Sequence, residues 1–146
     1  MRVIIRPMMQ EDVDKLVQME QNIFSVPWTE QNFAALLTRS YCLYLVAQKE
    51  EQIVGFAGLT VLGNEGDIDK VMVCEECRGM GVASYLMEAL LSEGRRRGIQ
   101  EFTLEVRVSN TAAIRLYEKF GFVSEGIRPG FYEKPVEDAM IMWLRQ

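Results

Sequence analysis

No histidine occurs in the 146-residue chain. Imidazole is the usual proton carrier near neutral pH, so any proton transfer here must use carboxylates, phenols, thiols, amines or water. Cysteine is scarce too, with only Cys42, Cys74 and Cys77, and an odd count argues against a disulfide framework. Cys74-x-x-Cys77 has the spacing of half a zinc site. A closed site needs four ligands, however, and one further cysteine without any histidine cannot complete it. Nor does the pair open a helix as a redox pair does, because the next helix starts later, at the glycines. Both are read as ordinary cysteines, and no metal is expected. No apolar run approaches a membrane span. The opening MRVIIRPMMQEDVDK turns acidic too soon for a signal peptide, so a cytoplasmic protein is expected. Repeats, low-complexity tracts and linkers are missing, and residues 1–146 are read as one domain. There is no basic excess either: 16 Lys and Arg against 21 Asp and Glu leave a net charge of −5. That excludes the electrostatic footprint of general nucleic-acid binding. It suits a basic protein substrate, though mild acidity serves solubility equally well.

What is present is a foldable chain, 49% hydrophobic and long enough to bury a core. Val3 to Arg6 reads as a short strand ended by Pro7. Val13, Leu16, Val17, Glu20, Ile23 and Phe24 form a helical stripe with one polar interruption, broken before Pro27. Thr29 can cap a second helix, with Asn32 at the capping-box position and Phe33, Leu36 and Leu37 on one side. Strands follow over 41–48 and 53–62, joined by the charged turn Lys49-Glu50-Glu51-Gln52. The cluster Gly63-Asn64-Glu65-Gly66 is a turn, and 67–74 is a third long strand. A helix then runs to about Arg97 with Val82, Leu86, Leu90 and Leu91 inward, and Gly98 stops it. Phe102, Leu104, Val106 and Val108 alternate with Thr103, Glu105 and Arg107, predicting a two-faced strand. Asn110 or Thr111 caps a short helix ended by Gly121. Strands over 122–125 and 139–144 finish the chain, the last expected to be covered on both faces because Met140 to Leu144 is unbroken apolar sequence. The order is β-α-α-β-β-β-α-β-α-β-β.

Two features carry chemistry. Arg78-Gly79-Met80-Gly81-Val82-Ala83 leads a strand into a helix whose first amides lack internal partners and whose dipole favours anions. Gly79 and Gly81 would let the backbone approach a pyrophosphate; a tight turn would need the same glycines for its dihedrals alone. Downstream, Glu105 stands twelve residues before Tyr117. A phosphate cradle followed by an acid and a phenol suggests group transfer from a phosphorylated carrier.

These residues resemble the GCN5-related N-acetyltransferase (GNAT) family. Arg78-x-x-Gly81-x-Ala83 fits that family's phosphate loop. Leu104-Glu105-Val106-Arg107, Ser109-Asn110, Ala112-Ala113-Ile114, Leu116-Tyr117-Glu118 and Gly121-Phe122 resemble the branch that acetylates protein N-termini. Pro27-Trp28-Thr29-Glu30, Ile127-Arg128 and Glu137-Asp138-Ala139 agree, so the likeness covers essentially the whole chain. Three stretches depart from it: Gln10-Glu11-Asp12-Val13 opens the first helix, Glu75-Glu76 precedes the phosphate loop, and Phe131-Tyr132 stands where paired tyrosines are common.

The resemblance implies an α/β fold with a mixed, mostly antiparallel seven-stranded sheet, about four flanking helices and a splayed central strand pair. It implies acetyl-coenzyme A as co-substrate, with Arg78, Gly79, Met80, Gly81, Val82, Ala83 and Ser84 at its phosphates. Val71, Met72, Val73 and Asn110 would lie along its pantetheine arm. It assigns Glu105 as base, where an ordinary strand glutamate would pair with Arg107 or Arg115. A protein α-amine has pKa of about 7.7–8.0, so a carboxylate can free it directly or through water. Tyr117 would give a proton or hydrogen bond to the departing thiolate, where an ordinary helix tyrosine fills core. Asn110 can equally be an N-cap. Trp28, Phe131 and Tyr132 are candidates for the acceptor side, and Trp28 can equally anchor the core between the first two helices. The implied reaction is direct attack by a protein α-amine in a ternary complex. The implied acceptor is the basic N-terminus of a small-subunit ribosomal protein beginning with alanine. Two rival readings are an acetyltransferase acting on lysine, polyamine or another small amine, and a non-catalytic coenzyme-binding module.

Overall fold

A computed structural model describes residues 2–145. Strand β1 (Val3–Pro7) leads through a 3-10 turn to helices α1 (Val13–Ile23) and α2 (Glu30–Leu36). Strands β2 (Cys42–Lys49), β3 (Gln52–Leu62) and β4 (Glu65–Val73) form a meander. Helix α3 (Val82–Arg96), β5 (Glu101–Arg107), α4 (Thr111–Lys119), β6 (Val123–Tyr132) and β7 (Glu137–Arg145) follow. The strands make one sheet in the order β1-β2-β3-β4-β5-β7-β6. All neighbours are antiparallel except β4 and β5, which α3 joins as a crossover and so must run parallel.

The β4–β5 pairing decides the shape of the molecule. It covers only Glu65, Gly66 and Asp67 against Glu101, Phe102 and Thr103. Beyond Asp67 the two strands part. Each stays attached on its outer side, β4 to β3 as far as Val73 and β5 to β7 as far as Arg107. The split begins at a bulge: Ile68 faces Leu59 and Lys70 faces Gly58, leaving Asp69 as the extra residue. A bulge bends its strand and deepens its twist, here turning β4 away from β5.

Hydrophobic side chains sort onto the two faces. Leu86, Leu90, Phe102 and Phe122 belong to the core under α3 and α4. Val13, Leu16, Phe33 and Phe56 belong to the core under α1 and α2. Each such buried side chain contributes about 1.5–3 kcal/mol by leaving water. The Thr29 cap is reciprocal: Asn32 N–H donates to Thr29 Oγ1 at 3.2 Å, and Thr29 N–H to Asn32 Oδ1 at 2.9 Å.

The structure corrects four expectations. Leu37 does not join Phe33 and Leu36 inside; it lies past the end of α2 and is 38% exposed. The turn before β4 shrinks to Gly63-Asn64, with Leu62 opposite Glu65. Strand β7 is not covered on both faces: Ala139, Met142 and Leu144 are buried while Met140, Ile141 and Trp143 are half-buried. Strand β6 continues to Tyr132 rather than ending at Glu125. It is the exposed edge of the sheet, so burial imposes no apolar alternation on it, and Pro129-Gly130 mimics a turn.

Candidate active site

The gap between β4 and β5 opens into two adjoining cavities of about 480 and 630 Å³. Both are lined by Trp28, Ile68, Asp69, Glu105, Phe131 and Tyr132. The smaller reaches Tyr44, Thr60, Asp67 and the α2 residues Asn32 and Leu36. The larger reaches Lys70, Val71, Asn110 and Tyr117. Strand β5 supplies Glu105 from its half-exposed face, opposite the face that buries Leu104 and Val106. Glu105 therefore stands at the junction of the two spaces.

Glu105 does not pair with Arg107 or Arg115. Its Oε2 lies 2.9 Å from Arg128 Nη1 on β6, an ion pair without the directionality of a hydrogen bond. Arg107 is engaged elsewhere, with Glu137 at 3.2 Å and the carbonyls of Glu133 and Pro135. Arg128 reaches Glu105 because β6 is long, which is why the sequence offered no hint of the pair.

Tyr117 is 8% exposed on α4, and its ring packs 6.0 Å from that of Phe122. It fills core and lines the larger cavity at once. Burial pushes its phenol up to about 12, with a smaller contribution from Tyr132, so it stays neutral at physiological pH and keeps an O–H to donate in a hydrogen bond. Asn110 likewise has both expected roles open to it: Ala113 N–H donates to its Oδ1 at 3.2 Å, capping α4, and it lines the same cavity.

Along β4, sheet alternation divides the expected contacts. Val71 lines the larger cavity. Met72 turns its side chain into the α1/α2 core at 3% exposure, and Val73 packs against the other core. Of these last two the backbone follows the edge of β4 turned from β3, and the Val73 carbonyl accepts from Arg78 Nε at 3.2 Å. The glycine loop lines neither cavity; it follows β4 by way of the 3-10 turn Glu75–Cys77. Gly79 and Gly81 have φ of 81° and 82°, so the turn does need glycine for its dihedrals. Gly81 is the N-cap of α3 and no side chain caps that end, leaving the first helix amides available to an anion. Nothing lies within 4 Å of where a Gly79 Cβ would stand. An open, uncapped helix end and an unpaired strand edge fit a long phosphorylated ligand.

Trp28 is both core anchor and cavity wall. It meets Phe33 edge-on at 5.3 Å and Phe56 at 6.4 Å. Phe131 and Tyr132 pack edge to face at 5.0 Å and wall both cavities opposite.

Sequence reading missed the charged floor. Asp69 accepts hydrogen bonds from the Tyr44 hydroxyl at 2.7 Å and Thr60 Oγ1 at 2.8 Å. Asp67 is pushed up to about 6 by burial, then by the charges of Asp69 and Glu105, with Arg128 opposing. Lys70 and Glu20 form a buried ion pair. The signal was there in Asp67-Ile68-Asp69-Lys70, charges inside an otherwise apolar strand, and in Glu20 as the polar member of the α1 stripe.

A single sheet split at its parallel pair, beside a bulge in β4, with an uncapped helix end beyond it, is the frame of an acyl-coenzyme transferase. A model of the Acetyltransferase (GNAT) family matches residues 13–122, and the chain belongs to that family. Its relatives are narrower in kind. The ribosomal protein bS18-alanine N-acetyltransferase of Haemophilus ducreyi is 34% identical, covering 97% of this chain and 99% of its own. That of Escherichia coli K12 is 33% identical, covering 91% and 90%. The crystal structure of the Escherichia coli ribosomal-protein-S18-alanine N-acetyltransferase superposes with TM-score 0.91 at 31% identity, over 99% of this chain and 94% of that one.

Proposed function

We propose that this chain, working in the cytoplasm, transfers acetyl from acetyl-coenzyme A to a protein N-terminal α-amine. The acceptor is the N-terminal alanine of ribosomal protein bS18. The observation that carries the reading is Glu105 at the meeting of two cavities, one of which continues to Tyr117. Similarity to enzymes named for that acceptor supports the choice.

The acceptor peptide enters the smaller cavity between Trp28, Phe131 and Tyr132, and its terminal nitrogen stops at Glu105. The Glu105 carboxylate takes the ammonium proton, directly or through one water. This costs little, because an α-amine is half deprotonated near pH 7.7–8.0. Arg128 holds one carboxylate oxygen and leaves the other to face the amine. Bound acetyl-coenzyme A supplies the acetyl group as a thioester. The freed amine attacks the thioester carbonyl, forming the new C–N bond; the C–S bond breaks, the coenzyme leaves as a thiolate, and the nitrogen passes its second proton to water. The Tyr117 hydroxyl, neutral at this pKa, donates a hydrogen bond to the departing thiolate. Amides from Gly79 to Ser84, with Arg78 beside them, hold the pyrophosphate. The free edge of β4 from Val71 to Val73 pairs with the pantetheine arm, and Asn110 completes that wall.

The test uses acetyl-coenzyme A with two peptides: one beginning with the bS18 alanine sequence, the other blocked at its N-terminus and carrying a free lysine. Mass spectrometry locates any acetyl group gained. Acetylation of the alanine α-amine alone is expected. Glu105→Gln and Tyr117→Phe should each lower kcat by roughly 10²-fold or more while coenzyme affinity is kept. Full turnover in either variant removes that residue from the mechanism, and acetyl on lysine moves the acceptor to a different class.

A further inference from the structure

We infer that the buried Lys70–Glu20 ion pair is a positioning device for the acceptor wall. It fixes Trp28 and residues 24–28, and so sets acceptor affinity separately from coenzyme affinity. The inference rests on the function proposed above.

Glu20 on α1 is completely buried, and the Lys70 side chain on β4 is 8% exposed. Glu20 Oε1 accepts from the Lys70 ammonium and also from the backbone N–H of Trp28 at 3.0 Å. The same ammonium sits 4.0 Å from the ring centroid of Phe24 and 4.2 Å from that of Trp28. One cation thus holds a carboxylate and two aromatic faces, and one carboxylate oxygen holds the backbone between them. Everything gripped lies in the connection from α1 to α2, outside both helices apart from the backbone capping bonds Phe24 N–H to the Glu20 carbonyl and Phe33 N–H to the Thr29 carbonyl.

Stability alone does not explain the pair. Two ions removed from water are no better for folding than a well-packed apolar pair, and Glu20 Oε2 has no hydrogen-bond partner among the described residues. What the pair supplies is a fixed location for Trp28. That matters unequally to the two ligands. Lys70 and Phe24 line the larger cavity, but the coenzyme has a further anchor at the glycine loop, which lines neither cavity. The acceptor has chiefly the aromatic walls, of which Trp28 is one.

The test compares Lys70→Met, Lys70→Arg and the double variant Glu20→Gln/Lys70→Met with the parent enzyme. Lys70→Met should raise the acceptor-peptide KM roughly fivefold or more, and the coenzyme KM by a clearly smaller factor. Lys70→Arg, which keeps a cation for both rings and the carboxylate, should recover most of the loss. The double variant should recover thermal stability, because no lone charge stays buried, yet keep the raised acceptor KM. An unchanged acceptor KM in folded Lys70→Met, or equal rises in both KM values, overturns the inference. Trp28 fluorescence gives a readout that needs no turnover. In a Trp143→Phe background, acrylamide should quench Trp28 more strongly once Lys70 is replaced; unchanged quenching also overturns the inference. If the parent acetylates no peptide, the functional reading fails by itself, and the quenching result still decides whether Lys70 fixes Trp28.

Discussion

Gly58→Ala tests how the floor of the smaller cavity is built. A Cβ at position 58 would stand 2.0 Å from Tyr44 Cδ1 and 2.2 Å from Cε1, well inside contact distance. The ring cannot simply swing aside. It stacks on Phe56 at 5.5 Å with 22° between planes, and its hydroxyl donates to Asp69 at 2.7 Å. Moving it costs about 1–3 kcal/mol of overpacking and about 1.5–3 kcal/mol if the bond to the carboxylate breaks. The stiffer unfolded chain returns only about 0.4–1 kcal/mol. The net loss is about 2–5 kcal/mol, a large share of the 5–15 kcal/mol typical of a folded domain. Urea unfolding followed by circular dichroism should show it as a lower midpoint at constant slope, and thermal melting should fall by about 5–20 °C. A second variant isolates the cause. With Tyr44→Ala already in place, Gly58→Ala should cost less than about 1 kcal/mol, because the space is free. A Gly58→Ala protein within about 1 kcal/mol of its parent would refute the argument, as would a full-sized loss in the Tyr44→Ala background.

Two further outcomes are expected. Gly79→Ala places a side chain at φ 81° on the open face of the loop. It should raise the coenzyme KM several-fold while costing only about 1 kcal/mol in stability, as steady-state kinetics and a melt would show together; an unchanged coenzyme KM would remove this loop from the phosphate site. Asp67 has a folded-state pKa of about 6, above its ordinary 3.8, so the folded chain holds this proton more tightly than the unfolded chain. Its favourable contribution is complete below about pH 4 and is lost as pH rises through about 6. Asp67→Asn should therefore flatten the decline in melting temperature across that window and melt higher than the parent at pH 8. An unaltered pH profile would count against a buried, charge-crowded Asp67.

How much was legible in the sequence varied with the physics of each element. Helices α1 and α3 showed their apolar stripes, and the Thr29–Asn32 cap and the Gly98 stop were readable because caps and turns are local. Strand β6 was legible only at its start, since an edge strand open to water has no need of an apolar pattern. At the site, Glu105, Tyr117, Asn110 and Trp28 were all named in advance, and the structure lines one joined pair of cavities with them. The partners those residues meet were not anticipated. Arg128, Asp67, Asp69 and Tyr44 meet near Glu105 from β6, β4 and β2, and no spacing along the chain encodes such meetings. Lys70 and Glu20 lie fifty residues apart and read as two unrelated charges until the fold buries them together.

By itself the sequence determined what depends on neighbours along the chain: the element order, the glycine turn that opens α3, the two-faced strand that presents Glu105, and a histidine-free choice of proton carriers. Only the tertiary structure decided where β4 leaves β5, that Arg128 rather than Arg107 faces Glu105, and that Trp28 is both core and wall. The reason is physical. Local dihedral and capping preferences act over a few residues, whereas a bulge becomes a cleft, and a carboxylate finds its cation, only when strands distant in sequence are fixed side by side.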